Sequence, residues 1–227
     1  MKMKVLILIG CLISAVAMGQ KSEVRSIGTF KGVKAGQAID VYLKKGDKES
    51  AKIETTGVDP SEILTEISGS YLKIQMAPGN YRNRGSVKVY VTYVELDKIV
   101  ATSASNVFSD GQIKSNSMEL HAASAATIEV SVEVNDIQIS VSSAADVNVE
   151  GKTKTLDAEA SSAGEVDAYS LVAESATVSA SSAGDVKCNV SSALEAKASS
   201  GGSIRYRGNP TKTNTNSSSG GSVKRSN

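Results

Sequence analysis

Short runs of alternating apolar and polar residues fill most of the chain, and in the C-terminal half they recur with a fixed period. Each unit carries the same small-residue box, Ser-small-small-x-(Val/Ile). The first residues of the seven boxes are Ser103, Ser124, Ser143, Ser162, Ser182, Ser200 and Ser219. A period near twenty residues is typical of proteins that stack one supersecondary unit on the next.

Apolar residues occupy alternate positions on both sides of each box, which is the period of a strand with one buried face. No stretch of ten or more residues shows the 3.6-residue period of a helix. Strands that recur in the same direction pair in parallel with their copies. We therefore predict an all-β fold, a right-handed parallel β-helix of about seven turns of about 19 residues each.

The boxes are predicted to be the corners of this β-helix. Small residues allow a sharp turn and let corners stack, and the serines can bond the backbone at the bend. In the last unit the inward positions become Thr213, Thr215 and Ser217. We expect a polar final turn that caps the solenoid, with a flexible tail as the alternative.

Residues 20–102 lack the serine box but contain strand patterns, for example at 39–43, 72–76 and 87–91. We expect a β-rich section, partly antiparallel, that covers the first turn of the solenoid. The predicted division is therefore 1–19 as a signal peptide, 20–102 as the N-terminal section, and 103–227 as the β-helix repeats. We expect residues 20–102 and 103–227 to form one continuous domain.

The N-terminus predicts export. Lys2 and Lys4 precede a short apolar run, and Gly19 fits a cleavage site before Gln20. Lipidation at Cys11 is an alternative, but it would leave only a short apolar region before that cysteine. The run is too short for a transmembrane helix, so we expect a chain that does not span a membrane. After cleavage only Cys188 remains, which excludes an intramolecular disulfide.

Charge is distributed unevenly along the chain. Residues 1–102 are net basic, residues 103–200 are strongly acidic, and residues 201–227 contain basic residues and no acids. The overall balance of 25 Lys and Arg against 24 Asp and Glu is unlike that of nucleic-acid-binding proteins, so no nucleic-acid partner is expected. We expect no cofactor.

One outward column of the predicted β-helix contains Asp146, Glu165 and Asp185, with Asp167 beside it. Stacking would place these carboxylates about 5 Å apart. One interpretation is a Ca²⁺ site, because hard oxygen ligands suit this ion. The other is a solvated acidic face, which the absence of a calcium-loop motif favours.

Two further features of the sequence bear on possible sites. Tyr81, Arg82 and Arg84 lie in a predicted loop, where an aromatic ring and two guanidinium groups could bind an acidic sugar or a lipid headgroup. The alternative is an ordinary solvated hairpin tip. His121, the only histidine, lies at an outward position with no catalytic motif around it. No catalytic residue is predicted.

Several segments together have a pattern known from one bacterial family: 30–33, 39–43 and 71–74, Leu96 and Ile99, and the boxes at 161–164, 181–184 and 199–202. In these segments the chain resembles the bacterial "putative auto-transporter adhesin, head GIN domain" family. The resemblance implies a β-helical fold and a place in the periplasm, on the outer-membrane surface or outside a Gram-negative cell. It implies no activity.

We therefore expect a non-enzymatic secreted or envelope protein with an adhesin-like or structural role, whose partner is a surface glycan or protein. One alternative is a polysaccharide-binding or polysaccharide-active β-helix protein. Another is a periplasmic module that binds other envelope proteins. The sequence predicts no oligomeric state.

Overall fold

The computed structural model describes residues 20–79 and 85–226. Its only helical element there is a short 3₁₀ turn at Pro60–Glu62. The strands, in chain order, are β1 (Lys21–Ser26), β2 (Gly32–Ala35), β3 (Asp40–Lys45), β4 (Ser50–Thr55), β5 (Ile63–Ser68), β6 (Tyr71–Met76), β7 (Val87–Tyr93), β8 (Lys98–Thr102), β9 (Asn106–Lys114), β10 (Ser117–Ala123), β11 (Thr127–Glu133), β12 (Asp136–Ser142), β13 (Asp146–Ala160), β14 (Glu165–Ala180), β15 (Asp185–Ala198), β16 (Ser203–Arg207), β17 (Lys212–Ser217) and β18 (Ser222–Arg225).

From β8 onward the chain is a parallel β-solenoid of about seven turns, which confirms the predicted fold class. Each turn has one strand before the box corner and one after it. The strands before the corner form one sheet, in which β8, β10, β12, β13, β14, β15 and β17 pair in parallel. The strands after it form the second, in which β9, β11, β13, β14, β15, β16 and β18 do the same. We call these the pre-corner and post-corner sheets.

The strands of the N-terminal section are interleaved with the strands of the solenoid. We had expected this section only to cover the first turn. Strand β2 lies between β6 and β8, and β3 lies between β7 and β9, all in parallel. The segment Gly32–Lys45 is thus a full turn inserted between turns that follow it in sequence. The antiparallel strands that were predicted lie beyond β6 and β7: β5 pairs with β6, β4 with β7, and β1 with β4.

The box corners are left-handed backbone turns. In each box the first two residues have positive φ, as in Ser143 (φ 56) and Ala144 (φ 55). In several boxes the residue after this pair donates a hydrogen bond to the carbonyl of the residue before it, as Gly184 N does to Ser181 O at 2.8 Å. Two consecutive positive φ values with this bond are the features of a type I′ turn. Gln37 and Ala38 form an eighth corner of this kind, between β2 and β3.

The interior is aliphatic and narrow. Val, Ile, Leu and Ala side chains form buried columns through every turn up to Ile204, and the buried aromatic rings in the described part of the chain are Phe30 and Tyr93. Ser105, at the third position of its box, is fully buried, and its hydroxyl donates to the carbonyl of Ala35 at 3.1 Å. The stacked turns therefore share one continuous core with the N-terminal section.

The last turn is polar, as predicted. All residues of β17 are exposed, yet β17 keeps its parallel pairing with β15. Among the residues described, no helix is long and apolar enough to cross a membrane.

Candidate functional site

Three aromatic rings stack on the outside of the post-corner sheet. Tyr90 on β7, Tyr42 on β3 and Phe108 on β9 occupy in-register positions of neighbouring strands. The ring centroids of Tyr42 and Tyr90 are 5.1 Å apart, and those of Tyr42 and Phe108 are 5.2 Å apart. The planes of each pair are nearly parallel, at 19° and 22°. Two of these rings come from the interleaved N-terminal section. The stack forms because β3 lies between β7 and β9.

The same outward column continues along the solenoid beyond Phe108 and changes its chemistry. Registered strand pairs bring its members side by side, turn after turn. In spatial order after Phe108 they are Glu129, Asn148, Asp167, Lys187, Arg205 and Lys224. The column therefore runs from aromatic through acidic and amide side chains to basic ones.

A groove of about 570 Å³ opens beside this column, and Phe108 forms part of its wall. The lining comes from four successive strands of the post-corner sheet: β9, β11, β13 and β14. Its polar members include Glu129, Asn148, Glu150 and Asp167, and the buried side chains of Val130 and Val149 contribute apolar surface.

β-bulges shape the groove. Glu129 and Ser131 of β11 pair with Phe108 and Gln112 of β9, so three residues of β9 lie opposite the single Val130. The bulge is anchored by the amide of Ser131, which donates to the hydroxyl of Ser109 at 3.0 Å. The next pair, β11 with β13, is in register, and register shifts recur between β13 and β14 and between β14 and β15. Bulges redirect side chains and are frequent beside functional sites.

The predicted acidic column is aligned as expected. Asp146 lies opposite Glu165, and Glu165 lies opposite Asp185. The structure adds basic partners. Lys187 Nζ lies 2.5 Å from Glu165 Oε1 and 3.3 Å from Asp167 Oδ2, and Arg205 forms an ion pair with Asp185.

Asp146 is the carboxylate of this column with no basic partner among the described residues. Partial burial, and then the neighbouring Glu165 carboxylate, raise the pKa of Asp146 above its usual range. Within residues 20–79 and 85–226, no three carboxylate, imidazole or thiol groups are grouped closely enough to hold a metal ion. Ca²⁺ binding at this column stays a prediction.

The other candidate residues are not brought to the groove. Tyr81, Arg82 and Arg84 lie outside the described residues, as do the predicted signal peptide and Cys11. His121 is exposed on β10 of the pre-corner sheet. Cys188 is fully buried, and burial raises the pKa of its thiol to about 12, which suits a packing role.

The aromatic stack and the groove were not predicted from the sequence. A signal for Phe108 was available, since it follows the inward Val107 and therefore lies at an outward position where the other boxes place polar residues. Its partners Tyr42 and Tyr90 could not be assigned to it, because the insertion of β3 between β7 and β9 has no local signature.

Comparisons with known proteins agree with this architecture. A family model described as "Putative auto-transporter adhesin, head GIN domain" matches residues 29–210. No curated protein matches the chain.

Several solved structures share the fold. A protein described as a putative adhesin from Bacteroides fragilis has a TM-score of 0.84 at 17% identity, with 92% of this chain and 97% of that chain covered. A putative adhesin from Parabacteroides merdae gives 0.73 at 16% identity, covering 92% and 96%. A protein from Parabacteroides distasonis described as a putative lipid binding protein gives 0.71 at 16% identity, covering 92% and 97%. At these identities the likeness shows the fold alone.

Proposed function

The chain belongs to the family described as "Putative auto-transporter adhesin, head GIN domain", and from this we propose that it is an exported, non-enzymatic binding protein with an adhesin-like role. The observation that supports the proposal best is the outer face of the post-corner sheet. There, one groove takes its lining from four successive strands.

A solenoid face suits this role for a physical reason. The groove strands β9, β11, β13 and β14 are each bonded to a neighbour on both sides, so their outward side chains are held at fixed spacing without a conformational change on binding. An extended ligand that lies along the axis can contact several turns at once. The aromatic, acidic and basic parts of the column give such a ligand distinct chemistry at each turn.

Two reactive side-chain types, the imidazole and the thiol, do not line the groove in the described part of the chain. The single histidine is exposed on the sheet that does not carry the groove. The thiol of Cys188 is buried, with its pKa raised to about 12, so it is neither accessible nor ionised near neutral pH.

Two experiments test the proposal. Mass spectrometry of the exported protein should find Gln20 at its N-terminus, and protease treatment of intact cells should remove the chain. If the chain is degraded only after the outer membrane is broken, the adhesin role is wrong, and a periplasmic interaction module replaces it.

The binding role itself is tested with the purified full-length exported protein on arrays of glycans and matrix proteins. Bound ligands are then incubated with the protein at high concentration and analysed by mass spectrometry. Binding with unchanged ligand is the expected result. Cleaved or modified ligand would contradict the non-enzymatic role.

A further inference from the structure

We propose that the groove beside Phe108 binds a neutral oligosaccharide, with the Phe108 ring and the carboxylates of Glu129 and Glu150 as its main contacts. This inference rests on the proposed binding function and adds the ligand class and the residues. It draws on the dimensions of the groove, the position of one aromatic ring in its wall and the hydrogen-bonding capacity of the lining.

The dimensions suit a short stretch of an extended polymer. The lining spans strands β9, β11, β13 and β14. Because neighbouring strands lie about 4.8 Å apart, the groove is about 15 Å long. Its volume of about 570 Å³ lies within the range of small-molecule sites. An open groove of this kind leaves room for the polymer to continue at both ends.

Phe108 is a half-buried part of the groove wall. One face of its ring is stacked on Tyr42, and Tyr42 is stacked on Tyr90 in turn. The other face is directed toward Glu129, one strand spacing of about 4.8 Å away, so a ligand reaches the ring at its exposed edge. The apolar C–H groups of a sugar can pack against this edge, and the stack behind Phe108 holds the ring in place before the ligand arrives.

The polar lining matches hydroxyl groups. Glu129 and Glu150 have no ion pair with a lysine or arginine among the described residues, so their oxygens are available to accept hydrogen bonds. Asn148 and Ser170 can both donate and accept. A sugar hydroxyl also donates and accepts, so one ligand class satisfies the whole lining.

Charge decides against acidic ligands. Asp167 is balanced by Lys187, 3.3 Å away, but Glu129 and Glu150 are not balanced. The groove therefore repels uronic acids, sulfated sugars and phosphates. A basic peptide would also suit the two carboxylates, so it is the competing ligand that the test includes.

The test measures binding of labelled hexasaccharides to the full-length exported protein by fluorescence anisotropy. The probes are neutral hexamers of glucose, mannose, galactose and N-acetylglucosamine, with hexagalacturonate as the acidic probe and hexalysine as the basic peptide. We expect at least one neutral hexamer to bind, and the other two probes not to bind.

Variants then locate the site. Phe108→Ala and Glu129→Gln should each weaken binding by about tenfold, and Phe108→Tyr should retain it. Glu159→Gln, which removes a carboxylate exposed on the other sheet, is the control and should bind as the parent does. Melting temperatures check folding, and Glu129→Gln carries the test if Phe108→Ala fails to fold.

The inference is overturned if no neutral hexamer binds, if hexalysine binds in their place, or if Phe108→Ala and Glu129→Gln bind as tightly as the parent. In each of these cases adhesion to other targets on the arrays would still support the proposed function. Cleavage of a bound hexamer would support the groove as the binding site, but it would contradict the proposed non-enzymatic role.

Discussion

The backbone amide of Ala144 donates a 3.1 Å hydrogen bond to the carbonyl oxygen of Ser162, one turn further along the solenoid. The same bond links every pair of successive box corners, from Ala38 N with Ser103 O to Gly201 N with Ser219 O. A left-handed conformation costs a non-glycine residue about 1–2 kcal/mol. The stacked corners offset this strain by giving the amides at the bend a partner in the next turn.

The first prediction concerns this strain. Ala144→Val should destabilise the protein by about 2 kcal/mol, because a β-branched residue is poorly tolerated at φ 55. Ala144→Gly should be neutral or stabilising by up to about 1 kcal/mol. Urea denaturation measures both. The control is Ala123→Val in strand β10, which should change stability by less than about 0.5 kcal/mol. Equal losses for the two valine variants would contradict the role of the backbone.

A second prediction separates strain from steric contact at two glycines near the groove. Gly151 has φ 118, and an added Cβ would lie 1.9 Å from the carbonyl oxygen of Val132. Gly111 has φ 94, with nothing within 4 Å of an added Cβ. Gly151→Ala should therefore cost about 3 kcal/mol or more, and Gly111→Ala about 1 kcal/mol. Thermal melts give the comparison, and a smaller loss at Gly151 than at Gly111 would refute it.

The third prediction uses the buried thiol of Cys188. Its pKa is raised to about 12 by burial, whereas an unfolded cysteine loses its proton near about pH 8.5. Iodoacetamide should therefore label Cys188 at least about a hundredfold more slowly in the folded protein than in urea. Peptide mapping assigns the label to Cys188.

The raised pKa of the Cys188 thiol also makes the stability of the protein depend on pH. Between the unfolded and folded pKa values the folded state holds more protons, so the contribution of Cys188 to stability is complete below that window and declines as pH rises through it. Cys188→Ala should lack this part of the alkaline decline. Parallel declines in the two proteins would show that the thiol titrates as in the unfolded chain.

The fourth prediction concerns Asp146, whose pKa is raised by burial and by Glu165. Since the folded state holds this proton more tightly than the unfolded state, the stabilising contribution is present at acidic pH and is lost as pH rises. Asp146→Asn should raise the melting temperature at neutral pH and have little effect below the ordinary pKa of an aspartate. Asp157→Asn, at an exposed position of the same strand, is the control.

The fifth prediction tests the calcium proposal. Removing Lys187 leaves Glu165 and Asp167 without the ammonium group that contacts both. Lys187→Met should therefore melt at a higher temperature in millimolar Ca²⁺ than in chelator, by a larger margin than the parent does. Lys197→Met, which breaks the exposed pair with Glu195, is the matched control. No response to Ca²⁺ in any of the three proteins would end the calcium interpretation.

The regular part of the fold could be predicted because each corner restricts the residue types that it accepts. Two successive left-handed positions accept only small or flexible residues, so boxes such as Ser162-Ala163 recur visibly. The corner at Gln37 and Ala38 has the same geometry without the serine, and it was missed. The inserted turn was also missed, because Gly32 pairs with Lys98 far along the chain and nothing near either residue specifies that partner.

The candidate site was predictable in part for the same reason. The fixed period of the repeat correctly predicted that Asp146, Glu165 and Asp185 are aligned. Counting residues from the boxes in the same way would have placed Lys187 beside Asp167. The groove could not be foreseen, because it depends on how many residues bulge from one strand against its neighbour. That number is set by pairing between strands and not by the pattern within one of them.

The inserted segment Gly32–Lys45 has a mechanical consequence. Its strands are bonded on both sides to turns that come later in the chain, whereas β17 is bonded only to β15 and β18 only to β16 among the described strands. Force applied at the C-terminal end would separate the turns from the solenoid one after another, starting with the last. Force applied at the N-terminal end would first detach β1, which is bonded only to β4 among the described strands, and would then act on the inserted segment, which can leave only after two neighbours separate. The molecule is therefore built to yield from one end and to hold at the other.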